Sequence, residues 1–173
     1  MLTLDLVRLS REGTADFEGE IPADDSIWAE IDGEADGGLV VRGGAQLTST
    51  GQLVVRGSMK GSVQQKCRRC LDPVQTEIRE TLDLVWAPED SVEPEDDGEL
   101  RTLDSGERTL DLLPALREEV LLRVPAWVLC SVSCRGLCPR CGVDLNHETC
   151  DCSQEERDPR WDALRGLQSE ERK

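Results

Sequence analysis

Apolar and polar residues alternate through Leu2, Leu4 and Leu6, so positions 1–9 predict a strand with one wet face. Positions 10–37 are acidic and Gly-rich and read as a loop with one short strand, anchored by Trp28 and Ile31. Leu39-Val-Val-Arg-Gly43 then recurs as Leu53-Val-Val-Arg-Gly57, with the turn signal Thr50-Gly51 between the copies. That arrangement predicts the two arms of a β-hairpin. A third strand is expected through Val63 and Gln65 to Cys67, and a fourth from Val74 through Ile78 to Trp86. The result is an antiparallel β-meander with Cys67 and Cys70 at one of its turns.

Residues 88–107 break the pattern with nine carboxylates, one arginine and two prolines. Such a stretch buries too little apolar surface to offset its ordering entropy, and it reads as a flexible acidic loop. Within 108–129, Leu113, Leu116, Val120 and Val124 recur at spacings of three and four, which gives a helix with one apolar face. Asp111 is placed to cap it, Pro114 falls in its first turn and Pro125 ends it. Residues 130–157 have no periodicity and carry cysteines. Residues 158–173 open with Asp158-Pro159 and read as a short terminal helix with an apolar face at Trp161, Ala163 and Leu164. The expected class is therefore α+β: a mainly antiparallel sheet over 1–87, a covering helix, a zinc-binding segment and a small helix at the end.

Charge narrows the choice of partner. The 173 residues carry a net charge of −16, which repels phosphate backbones and membrane surfaces and favours basic partners. No run approaches the ~20 apolar residues of a spanning helix. The N-terminus has no basic region followed by an apolar run, so we expect a cytoplasmic protein with no membrane partner. In a reducing compartment, eight clustered cysteines read as metal ligands before they read as disulfides.

The cysteines fall in four pairs: Cys67/Cys70, Cys130/Cys134, Cys138/Cys141 and Cys150/Cys152. Each short spacing lets one turn present two sulfurs, and eight thiolates make two four-cysteine zinc sites. Residues 138–152 can close one site locally, leaving Cys67/Cys70 to meet Cys130/Cys134. A rival pairing joins Cys130/Cys134 to Cys138/Cys141 and leaves the first pair free. His147, the sole histidine, lies near a zinc-knuckle spacing, but with Cys150 at hand it reads as an exposed loop residue.

Catalytic signatures are absent from the sequence: there is no phosphate loop, HExxH or nucleophile elbow, and a single histidine leaves few general-base schemes. Glu118 and Glu119 read as a solvated helix face. A zinc held by four thiolates keeps no open position for water or for a small-molecule substrate. Lys66, Arg68, Arg69, Arg135 and Arg140 lie close to cysteines and could contact RNA or another partner, or could simply offset thiolate charge. A different class of function, a thiol-based redox or zinc-responsive regulator, would leave Cys67/Cys70 free of metal and reversibly oxidised.

Several segments in order carry a resemblance. They are Cys67-Arg-Arg-Cys70-Leu-Asp-Pro-Val, Asp111-Leu, Arg117-Glu-Glu and Pro125, then Cys134-Arg-Gly-Leu-Cys138-Pro-Arg-Cys141-Gly-Val-Asp-Leu-Asn146, and Asp158-Pro-Arg-Trp161. From about residue 37 onward the chain resembles the YceD-like family of large ribosomal RNA subunit accumulation proteins. The resemblance implies a bacterial cytosolic factor, not an enzyme, that supports large-subunit ribosomal RNA and ribosome assembly. Ribosomal RNA itself, or a basic ribosomal protein attracted by the chain's acidity, is the partner that reading suggests.

Overall fold

The two Leu-Val-Val-Arg-Gly segments lie in adjacent antiparallel strands, as their alternation predicts. A computed structural model describes residues 2–91, 101–104 and 106–152. Among these, strands β1 (Thr3–Asp5), β2 (Thr14–Ile21), β3 (Glu34–Ala35), β4 (Leu39–Leu47), β5 (Leu53–Lys66), β6 (Pro73–Pro88), β7 (Arg101–Leu103) and β8 (Thr109–Asp111) accompany helices α1 (Leu6–Glu12) and α2 (Leu113–Arg123). The main sheet runs β2-β4-β5-β6-β7, with β3 paired to β5, and β1 and β8 form a separate antiparallel pair. The class is mixed α+β, as expected.

In the β4–β5 hairpin, Leu47 faces Leu53 and Gly43 faces Gly57. The glycine of each repeat copy is required by close approach. A Cβ on Gly43 would sit 2.2 Å from the Arg56 carbonyl oxygen, and one on Gly57 would sit 2.4 Å from that of Arg42. The Phe17 ring covers the gap, its Cζ 2.9 Å from where a Gly43 Cβ would be.

The structure departs from expectation at four places. The first strand stops at Asp5, whose carboxylate accepts the Arg8 amide at 2.9 Å and so starts α1 inside positions 1–9. The segment read as a loop with one short strand holds the eight-residue β2 as well as the two-residue β3; the length of β2 was masked by small residues at Ala15 and Gly19. The second hairpin arm and the expected third strand are one continuous strand, β5, because inward positions run unbroken from Leu53 through Val55, Met59 and Val63 to Gln65. Within 88–107, Arg101–Leu103 is a strand running parallel to β6. Arg101 stacks over Trp86 at 5.8 Å and pairs with Glu118 at 2.6 Å, which holds that strand in place. The terminal helix expected over 158–173 lies outside the described residues.

Helix α2 covers the sheet. Leu116 and Val120 are buried in the same core as Leu39, Val41, Val55, Met59 and Val63, each worth about 1.5–3 kcal/mol of burial. The cap lies one residue later than expected, at Leu112, and Asp111 accepts the Leu113 amide at 3.0 Å. Glu118 faces solvent, whereas Glu119 is largely covered and pairs with Arg123 at 2.6 Å.

Candidate metal centres

The inward face of β5 leads directly to the first group of thiols. Gln65, buried near the strand's end, donates to the Pro125 carbonyl at 2.9 Å and accepts from the Thr76 hydroxyl at 2.8 Å. That satisfied buried amide brings the chain leaving α2 alongside the β5–β6 turn. The Arg68 amide bonds the Val128 carbonyl at 2.9 Å and extends the junction.

Here Cys67, Cys70, Cys130 and Cys134 come together, all four sulfurs within 4.8 Å of one another. Cys67 and Cys134 are 3.8 Å apart, and Cys70 and Cys130 are 3.4 Å apart. These are free thiols, far beyond the ~2.05 Å of a disulfide. A tetrahedral ion with metal–sulfur bonds of ~2.3 Å has sulfur–sulfur edges of about 3.8 Å, so the geometry fits one closed four-thiolate ion. Val74, Leu129 and Leu137 jacket the group, and Cys67 is fully buried.

The second group is Cys138, Cys141, Cys150 and Cys152, again within 4.8 Å, with Cys138 buried and Cys141 exposed. The sulfurs thus gather by the local-plus-distant pairing, and the rival grouping of 130/134 with 138/141 is not formed. His147 joins neither group. It is exposed and lies 3.7 Å from Asp144, with Asp72 nearby.

Both Cys-x-x-Cys segments form the same turn. Leu71 and Gly142 return their amides to the carbonyls of Cys67 and Cys138, each at 2.9 Å, and both take left-handed backbone angles, φ 67° and 75°. Inside such a turn, amides point at sulfur. Burial pushes the Cys67 thiol up, but the amides of Cys70, Cys130 and Arg69 outweigh it and bring the thiol from 9.0 down to about 6. The amides of Cys141 and Arg140 likewise hold Cys138 down at about 6 against burial. The Cys141 thiol and then burial push Cys152 up to about 12. Cys70 also ends up raised: the Asp72 amide favours its thiolate, but burial and the neighbouring thiols prevail. Each group therefore has one thiol held well below the ordinary value.

The two groups are joined through backbone. Leu137 donates to the Arg69 carbonyl at 2.9 Å, and the Arg69 guanidinium donates to the Cys134 carbonyl at 2.8 Å. Asn146, beyond the second turn, accepts the Arg135 amide at 2.7 Å and points its own amide at the Cys134 sulfur, 3.5 Å away. Sequence reading did not single out Gln65, Asp72 or Asn146 for these roles. A polar residue at an inward strand position was the available signal for Gln65.

All five cations considered for partner contact, Lys66, Arg68, Arg69, Arg135 and Arg140, are exposed, and Arg68 and Arg69 also bond the protein's own groups. Arg68 donates to the Ala126 carbonyl at 3.2 Å and pairs with Asp32, and Arg69 donates to the Cys134 carbonyl. No helix among the described residues is long and apolar enough to cross a membrane.

Fold and site together define a protein in which a long antiparallel sheet is stapled at one end by clustered thiols able to hold metal. Residues 55–168 match the family model for the large ribosomal RNA subunit accumulation protein YceD. The chain belongs to that family, whose role lies in accumulation of large-subunit ribosomal RNA. An uncharacterized protein of Mycobacterium tuberculosis (strain ATCC 25618 / H37Rv) is 30% identical over 165 residues, covering 94% of this chain and 79% of its own. The large ribosomal RNA subunit accumulation protein YCED homolog 1, chloroplastic, of Arabidopsis thaliana is 32% identical over 63 residues, 36% of this chain and 20% of its own. No solved structure matches the chain.

Proposed function

We propose that the chain is a non-catalytic, cytoplasmic ribosome-assembly factor that holds a basic ribosomal protein of the large subunit. In this reading zinc sits in each four-thiolate group, held by Cys67, Cys70, Cys130 and Cys134, and by Cys138, Cys141, Cys150 and Cys152. Zinc supplies structure there: four thiolates close the coordination sphere and leave no position for a reacting water. Complete burial of Cys67 weighs against the redox-regulator alternative, which needs an accessible thiol.

The observation that carries the choice of partner is the direction of the charges. Arg68 and Arg69, though exposed, already donate to the protein's own carbonyls and Arg68 pairs with Asp32, while a net charge of −16 acts on what approaches. RNA would have to approach Lys66, Arg135 and Arg140 through that field.

Two measurements test this. Metal analysis should return two zinc per chain; zero or one, with a reversibly oxidised pair, would favour the regulator. Anisotropy titrations with labelled large-subunit ribosomal RNA fragments and with purified basic ribosomal proteins should show salt-sensitive binding of a protein. Tight binding of RNA with no ribosomal protein present would defeat the delivery reading.

A further inference from the structure

Away from the metal centres, α1, the β4–β5 turn, the end of β6 and β7 enclose a cleft of about 260 Å³. Its walls are apolar: Leu6, Leu9, Leu47, Pro88 and Leu103. Leu9 belongs to the core, whereas Leu6, Leu47 and Leu103 are only half-buried and keep apolar surface open to the cleft. Its mouth carries Glu89, Asp90, Asp104 and Glu107, and among the described residues no Lys or Arg lines it. Among the described residues none of these four carboxylates is ion-paired.

We propose that this cleft docks a Lys/Arg-rich peptide segment by one apolar side chain, with the carboxylates at its mouth holding the flanking cations. The proposal rests on the reading above that the partner is a basic protein, and it says where that partner is gripped. The volume falls below the ~300–1,000 Å³ usual for small-molecule sites and suits one side chain. The interior offers little polar surface to orient a cofactor or metabolite, while the mouth repels phosphate, which excludes nucleic acid as the occupant. A second copy of this chain would bring the same negative charge to the contact. The walls are also fixed in advance: Asp5 caps α1, the Leu6 amide bonds the Arg108 carbonyl at 2.9 Å, and Arg101 pins β7 to Trp86 and Glu118. A peptide entering such a site loses its own freedom without having to order the protein.

The test uses zinc-loaded full-length protein and a fluorescein-labelled synthetic peptide of lysines and arginines with a single central leucine. We expect the leucine-to-alanine peptide to bind on the order of tenfold more weakly. The double reversal Asp90→Lys/Glu107→Lys should lose tenfold or more, about 1.4 kcal/mol or above. Ser10→Phe, which fills the cleft from the exposed side of α1 without touching the core, should abolish the leucine preference. The control reversal Asp16→Lys/Glu18→Lys, on β2 at the opposite edge of the sheet, should stay within about twofold. Equal losses in the control and cleft reversals would overturn the cleft and leave the basic-partner reading standing, as would binding of a ribosomal protein that Ser10→Phe does not weaken. Failure of both peptide and ribosomal protein to bind would defeat that reading and the cleft with it. A dimer in sedimentation that Ser10→Phe dissociates would make the occupant a second copy and overturn the proposal.

Discussion

The two thiol groups use the same turn to opposite ends. Around Cys138 the four sulfurs come from residues 138–152, and the group closes a local loop that meets the first group through Leu137 and Asn146. Around Cys67 they come from the β5–β6 turn and from the segment beyond α2, with Cys70 and Cys130 sixty positions apart. Closing a loop of that length costs roughly 4 kcal/mol in chain entropy. Structural zinc in small domains binds with an apparent ~10–16 kcal/mol, so the distant closure is well within reach of one ion. Sequence distance would therefore change what a bound metal stabilises more than whether it binds: one ion would fix a local loop, the other the relation of helix to sheet.

The strongest way to break this contrast is Cys67→Ala. It should remove one zinc and lower the melting temperature by ~10 °C or more, since each kcal/mol moves Tm by about 2–4 °C in a chain this size. An unchanged Tm would mean that the distant group is not a staple. Cys138→Ala should also cost one zinc but move Tm by only ~2–4 °C, about 1 kcal/mol, with exchange protection lost in 138–152 and kept in β5 and β6.

A pH titration sharpens what the two groups share. In zinc-free protein, Cys67 and Cys138 should ionise near pH 6, well before Cys70, Cys130, Cys150 and Cys152, as read by ultraviolet thiolate absorbance. Their folded values lie below 9.0, so their stabilising contribution is full above pH 9 and is lost as pH falls through 6. Cys152, raised to about 12, acts the other way, contributing below pH 9 and losing that as pH rises toward 12. All eight thiols ionising together near the ordinary value would show that the groups assemble only around metal.

The smallest effect concerns the residue after each pair. Leu71 holds a left-handed angle that disfavours side chains, so Leu71→Gly should gain about 1 kcal/mol in chemical denaturation. Gly142→Leu should lose about 1 kcal/mol by the same cost, because a Cβ there meets nothing within 4 Å and only the backbone angle opposes it. Equal signs for the two changes would show that the turns are not equivalent.

The hairpin, the meander, the covering helix and the gathering of thiols were all legible in the sequence, because period-two alternation, a turn dipeptide and paired ligands are local signals. β2 was not, since Ala15 and Gly19 blur its inward face, nor was α1, since Leu2, Leu4 and Leu6 alternate across a boundary that Asp5 sets. The junction built by Gln65, Arg69 and Asn146 was hidden for another reason. Each bonds a group far away in the chain, and only the assembled fold shows which carbonyl or sulfur it faces. The same holds for the arginines: that Arg68 bonds Ala126 and Asp32, and Arg69 bonds Cys134, is visible only in the assembled fold.

The gap of sixty positions between Cys70 and Cys130 also sets an order of events at birth. At ~5–20 residues per second of translation, the early pair waits roughly 3–12 s for its later companions. Throughout that interval a nascent chain can offer an ion only half a coordination sphere. A transcript cut short before Cys130 yields a product that can never complete it, so loading of this centre would distinguish chains that reach Cys134 from shorter fragments.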